Sequence, residues 1–268
     1  MVENEKDVFV DTISKATDLS DHLQDLTDYL KRFTNASAVY IGKLVAPKKR
    51  IRDDDDDTAH IDNDGDKIIH FSHSNEEHAF IVDTTLSKDN GLTFDVFKAK
   101  EVPEPVEGEE VKEKADEDPD HILIKEVVRE PRIHFFTVPR LGSYLAIKLE
   151  YKSCLSVEAY NAGIQDAMSV RERLVQQEEE RRNHDEAERD RKEECEANDQ
   201  VYERREFEGP DIKPKPFQTH NIQYVVCINT LGQDREFTAE QIRLALDTVK
   251  FYRDEWERIE RNNISRDI

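Results

Sequence analysis

The side chains that could do chemistry fall into three groups. Cys154, Cys195 and Cys227 are the first. A thiolate attacks sulfur and a second thiol resolves the adduct, so Cys154 and Cys227, expected near adjacent strands, would suit a thiol-based reductase if brought together. Cys227, however, sits between Val226 and Ile228 in an apolar run, where a buried, inert thiol is the default. The odd count and wide spacing offer no zinc-binding pair and suit a reducing compartment. Arg132, His134 and Arg140 form the second group, around Phe135 and Phe136. Such a cluster would grip an anionic ligand or an acidic chain. The plainer alternative is a loop pinned by ion pairs to an acidic protein. His60, Asp62, Asp64, Gly65 and Asp66 form the third, with glycine at the sixth place of an EF-hand-like loop. Calcium needs an oxygen at the first place and a bidentate carboxylate at the twelfth; His60 and Phe71 stand there. A solvated turn is the expectation. None of the usual phosphate-loop, zinc-protease or nucleophile-elbow patterns occurs. No catalytic residue, cofactor or metal is expected, and the chain is expected not to be an enzyme.

The whole chain sets the context for these groups. It has 268 residues, 37% charged and 36% hydrophobic, with a net charge of −22. That apolar share is low for a globular chain, so part of the length should be loop or arm. The negative charge would repel a phosphate backbone, which argues against nucleic acid; its natural complement is a basic protein surface, and the alternative is that it serves solubility alone. No apolar run approaches the roughly 20 residues that span a bilayer. The N-terminal MVENEKDVFV lacks the basic-then-apolar pattern of a secretory leader. A cytoplasmic location, with no membrane contact, is the expectation.

The elements that must position these residues are legible as periodicities. Phe9, Ile13 and Ala16 suggest a first short helix. Thr17 and Asp18 cap a second, with Leu19, Leu23, Leu26, Leu30 and Phe33 on one face and Asn35 as its stop. Residues 36–45 read as a strand, followed by a polar loop at 48–66. Residues 67–73 and 92–97 read as further strands, and 122–128 as either strand or short helix. Residues 100–120, rich in proline and glutamate, read as a loop. Residues 142–151 and 222–231 are strand-like. Between them lies an apolar stripe, Leu155, Ala159, Ala162, Ala167, Val170 and Leu174, that gives way to almost pure charge from 178 to 208. A sheet does not tolerate that run, so it must leave as a solvated helical arm ended by Gly209 and Pro210. Thr238 caps a last helix with Ile242, Ala245, Leu246, Val249, Tyr252, Trp256 and Ile259 on one face. The expected class is α+β: an antiparallel sheet flanked by N- and C-terminal helices, with a long charged helical insertion before the last strand.

At this point two phrases resemble GAF domains. LQDLTDYLKRFTNASAVYIGKL, residues 23–44, resembles their start, a helix leading through a small-residue turn into the first strand. YVVCINTLGQDREFTAEQIRLALDTV, residues 224–249, resembles their last strand and final helix. VVREPRIHFFTVPRLGSYLA (127–146) and YKSCL (151–155) are similar to the divergent GAF domain of a ciliary radial spoke protein, which also carries a charged helical insertion before the last strand. The resemblance implies a helical extension at 1–16, a GAF-like domain at 17–154 resumed at 217–262, an insertion at 155–216 and a tail at 263–268. It implies a non-catalytic scaffold or assembly subunit of the ciliary or flagellar axoneme. Its partners would be other axonemal or radial spoke proteins, met through Leu155, Ala159, Val170 and Leu174 of a coiled-coil-like arm, with Arg132, His134 and Arg140 as further contacts. The chain departs from relatives that bind cyclic nucleotides: their Asn-Lys/Arg…Phe…Asp-Glu signature is missing, and Asn183, His184, Asp185 and Glu186 lie in the charged arm. The alternatives are a regulatory GAF domain sensing a small ligand and a thiol-based reductase.

Overall fold

A computed structural model describes residues 2–46, 49–51, 60–62, 67–88, 91–98 and 119–267. The chain divides into two compact units. One comprises the residues up to Lys152 together with Asn221–Glu260; the other comprises Ser153–His220 and the chain from Arg261 onward.

The first unit is α+β. Its strands are β1 (Ala38–Val45), β4 (Ile68–Ser74), β5 (Thr85–Leu86), β6 (His121–Ile124), β7 (Tyr144–Ser153) and β8 (His220–Asn229), in an antiparallel sheet of order β5-β4-β1-β8-β7-β6. The first and last strands are therefore neighbours at the centre, paired from Ala38 opposite Asn229 to Lys43 opposite Tyr224. Two short strands, β2 (Lys49–Ile51) and β3 (His60–Asp62), form a separate ladder inside the expected polar loop. The EF-hand-like positions 63–66 lie outside the described residues.

Helices α1 (Val2–Lys15), α2 (Leu23–Thr34) and α4 (Ala239–Asp267) cover one face of the sheet. Alternation sends Val39, Ile41, Ile147, Leu149, Tyr151, Val226 and Ile228 to that side. Asn35 ends α2 in the left-handed conformation at φ 51°, where an asparagine is tolerated. Thr238 and Gln241 cap α4 reciprocally: Gln241 N–H donates to Thr238 Oγ1 at 3.2 Å, and Thr238 N–H to Gln241 Oε1 at 3.1 Å. Trp256 is only 3% exposed and stacks on Tyr151 at 4.4 Å between ring centroids. Tyr252 is fully buried, and its hydroxyl donates to the Leu19 carbonyl, tying α4 to the 3-10 turn that leads into α2.

The opposite face is covered by irregular chain. Ala38, Tyr40, Tyr144, Ala146, Val225 and Cys227 pack there against Ile81, Leu86, Val96 and Val127. Both faces of the central strands are thus buried. Gly42 marks the tightest spot, beside a register shift between Ile41 and Gly42; a Cβ there would lie 2.4 Å from Ile69 Cγ2.

One expected strand differs. Leu92–Phe97 is a 3-10 helix rather than a strand. Its buried Thr93 and Val96 are three apart, and a 3-10 turn aligns i with i+3, whereas a strand would have split them between faces. The Leu92 N–H donates to the Arg132 carbonyl at 3.0 Å, which anchors the turn. Residues 122–128 hold both alternatives: β6, then a 3-10 turn at Val127–Arg129.

In the second unit, helix α3 (Val157–Ala197) begins at Ser156, whose side chain accepts from Ala159 N–H at 3.0 Å. It ends well before Gly209. Asp199 adopts φ 51°, and Gln200 N–H turns back to the Cys195 carbonyl at 2.8 Å, a closure of the kind that stops a helix. Residues 198–219 have no helix or strand and run back along α3. Tyr202 meets Glu188, Arg204 meets Asp185, Gln177 meets the Pro210 carbonyl and Lys215 N–H meets Asp166. The expectation of a helix continuing to Glu208 was wrong because charge density alone carries no stop signal, while the Asn198–Asp199 turn does.

Candidate functional site

The site is best built from the loop-covered face of the sheet. Tyr40 on β1, Tyr144 on β7 and Cys227 on β8 share that face by strand alternation. The 3-10 turn supplies Thr93, and the irregular stretch before β7 supplies Phe136. The Tyr144 hydroxyl lies 2.8 Å from Thr93 Oγ1 and donates to Cys227 Sγ at 3.1 Å. Burial pushes the Tyr144 and Tyr40 hydroxyls above the usual phenol range and the Cys227 thiol up to about 12. A thiol so held stays protonated, which is the opposite of what a nucleophile needs. Cys154 follows β7 at the end remote from Tyr144, and no disulfide joins any of the three cysteines.

Tyr40, Phe71 and Phe136 meet edge to face at 5.3–5.7 Å, and the His134 ring abuts Phe136 at 4.9 Å. The cavity they leave, bounded also by Thr93 and Tyr144, is about 10 Å³, at the lower limit for one water. The interior pocket is filled by its own aromatic side chains.

Beside it opens a cleft of about 1040 Å³, lined by Phe94, Phe135, Lys67, Lys88, Lys98 and Arg132 among others. Arg132 is held by Asp95 at 2.8 Å and by Glu130 at 3.1 Å. Hydrogen bonds to those carboxylates raise its pKa. Lys98 and Arg132 in turn hold the Asp95 carboxyl below the usual range. His134 lines the same cleft. Arg140 is exposed and stands apart from it, so the expected Arg132–His134–Arg140 cluster is brought together only in part. Among the described residues no group of three or more His, Cys, Asp or Glu is placed to hold a metal ion.

The arm residues are scattered by exposure. Leu155 and Leu174 are exposed, Val170 is half-buried, and Ala159 is buried. The arm also contains a polar centre that the sequence did not mark. Glu188 accepts from Arg191 at 2.8 Å, from the Tyr202 hydroxyl at 2.9 Å and from Arg205 N–H at 2.9 Å. The Arg205 N–H is the main cause of a carboxyl held below the usual range. Strand alternation could have placed Tyr40 and Tyr144 beside Cys227. Nothing local marks Thr93, or the convergence of Lys67, Lys88 and Lys98 from separate loops.

Neither a protein-family model nor a curated protein matches this chain.

Proposed function

We propose that this chain is a non-catalytic, GAF-like assembly module of the ciliary axoneme, akin to a radial spoke subunit, in which the sheet is a rigid body and the α3 arm meets neighbouring proteins. The observation that carries the reading is the filled interior: where a sensor would keep a pocket, Tyr40, Phe71 and Phe136 leave about 10 Å³. The buried Cys227 thiol speaks against the reductase alternative, and the two-signed charge of α3 suits register-setting ion pairs with a partner helix. The test is recovery of the endogenous, tagged protein from isolated axonemes, with its neighbours identified after chemical crosslinking. Enrichment of spoke components crosslinked through residues 157–197 is expected. A protein absent from axonemes, or crosslinked only through the sheet body, removes the reading.

A second reading rests on the lysine-lined cleft: a regulatory domain that senses a small anionic ligand. Calorimetric titration with cyclic AMP and cyclic GMP separates the two. No heat of binding is expected, and a low-micromolar dissociation constant for either would install the sensor in place of the scaffold.

A further inference from the structure

Helix α3 has two sides with different fates. Residues 198–219 lie along one, meeting Asp166, Gln177 and Glu188. Ala159 and Val170 belong to that side, since at 3.6 residues per turn they fall within about 40° of Asp166. Half a turn away runs another stripe, Val157, Ile164, Met168 and Val175, confined to an arc of about 40°. Val157 is 73%, Met168 61% and Val175 55% exposed, while Ile164 is half-buried, so three of the four positions on this stripe are uncovered. Solvated apolar side chains aligned at helical spacing form a docking seam.

The spacing names the occupant. The steps from Val157 to Ile164, Met168 and Val175 are 7, 4 and 7 residues, a series that reads the same from either end. A second α3 laid antiparallel about a two-fold axis near Asp166 sets Val157 against Val175 and Ile164 against Met168, each twice. It also sets Arg171 opposite Asn161, whose amide oxygen can accept from the guanidinium. A parallel, in-register pair would instead press Arg171 against its own copy. Beyond Val175 the same side continues through Glu179 and Arg182, which closes the apolar seam.

We infer that α3 pairs with α3 of a second copy of this chain, antiparallel and centred on Asp166, through Val157, Ile164, Met168 and Val175. The contact is isologous, so it closes at a dimer. The overlap of residues 157–175 spans about 27 Å of helix, a contact at the small end of specific interfaces, so the association is weak. The pairing stands on the helix face alone. Its failure would leave the axonemal assignment intact, and a protein absent from axonemes could still pair.

The experiment uses the full chain. Sedimentation velocity from about 1 to 200 µM, the range in which a small interface responds, should show a reversible monomer–dimer equilibrium. Met168→Glu should weaken it at least tenfold while leaving the circular dichroism and melting temperature unchanged, because Met168 is solvent-exposed. A chain that stays monomeric throughout, or a dimer indifferent to Met168→Glu, overturns the proposal. Orientation is read in a Cys195→Ser background. Chains carrying Val157→Cys, mixed with chains carrying Val175→Cys, should form a mixed disulfide faster than either forms one with itself. Faster self-coupling of Val157→Cys would mean a parallel pair and would equally overturn it.

Discussion

The sheet body and the α3 arm hold their shapes by different physics. In the body, the central strands bury side chains on both faces: Val39, Ile41 and Val226 under helices, Tyr40, Tyr144 and Cys227 under turns. Stability there comes from apolar area and close packing, which are insensitive to salt and pH. In the arm, one helix and its irregular return are joined largely by charged and polar contacts around Glu188, Asp185, Gln177 and Asp166. Such contacts add little each when exposed and lean on protonation state and ionic strength. One chain thus carries a packed unit and a polar one, and the polar one leaves Val157, Met168 and Val175 exposed.

The sharpest blow to the packed side is Trp256→Ala. Removing a core aromatic costs about 3–5 kcal/mol, against a total of about 5–15 kcal/mol for a typical domain. Because Trp256 stacks on both Tyr151 and Tyr224, at 4.4 and 5.5 Å, the loss belongs at the upper end. It is checked by chemical denaturation, and in the parent protein by blue-shifted emission poorly quenched by iodide. Emission that is red-shifted and readily quenched would put this residue in solvent. Gly42→Ala follows in size. The added methyl would sit 2.4 Å from Ile69 Cγ2 and 2.8 Å from Phe71 Cδ1, and overpacking of a core costs about 1–3 kcal/mol. A melting temperature unchanged by this variant would mean that the sheet interior yields as readily as the arm.

On the polar side, Glu188→Gln should leave the body's melting temperature alone and speed amide exchange in residues 198–210. The sign with pH follows from the lowered carboxyl pKa. A carboxyl depressed in the folded state stabilises above its unfolded value, near 4, and that contribution fades as pH falls through the lowered value. The parent should therefore show the same loosening of residues 198–210 on acidification below about pH 4, and Glu188→Gln should show no further acid step there. Equal exchange in the two proteins at neutral pH would detach Glu188 from the return segment.

The same contrast decides what the sequence disclosed. Helices α2 and α4 and strands β1, β7 and β8 were legible because each must alternate or repeat to face a core, and Trp256 was legible for the same reason. Asn35 and Thr238 marked helix ends because capping is local chemistry. The 3-10 turn at Leu92–Phe97 was mistaken for a strand because six residues of mixed polarity fit either period; the contact that decides it, Leu92 with Arg132, comes from far along the chain. The return of residues 198–219 along α3 has no periodicity to read, since extended chain bound through carbonyls and carboxylates leaves no apolar pattern. The cleft was half legible: Arg132 and His134 are two residues apart in sequence, but Lys67, Lys88 and Lys98 reach it through folding alone.

The smallest expected effect tests the comparison as a whole. Replacing residues 156–216 with a short Gly/Ser linker removes α3 and most of its return while keeping β7 and β8. If the body owes its stability to the core between sheet and helices, little should be lost. Closing a loop costs only about 0.6 kcal/mol for each doubling of its length, so the shorter connection is a minor gain rather than a burden. The expected melting curve is a single cooperative transition within a few degrees of the parent's. Salt should barely move it, whereas the parent's exchange in residues 198–210 should be salt-sensitive. Loss of cooperative unfolding in the linker variant would show that α3 completes the core. The division between a packed body and a polar arm would then fail.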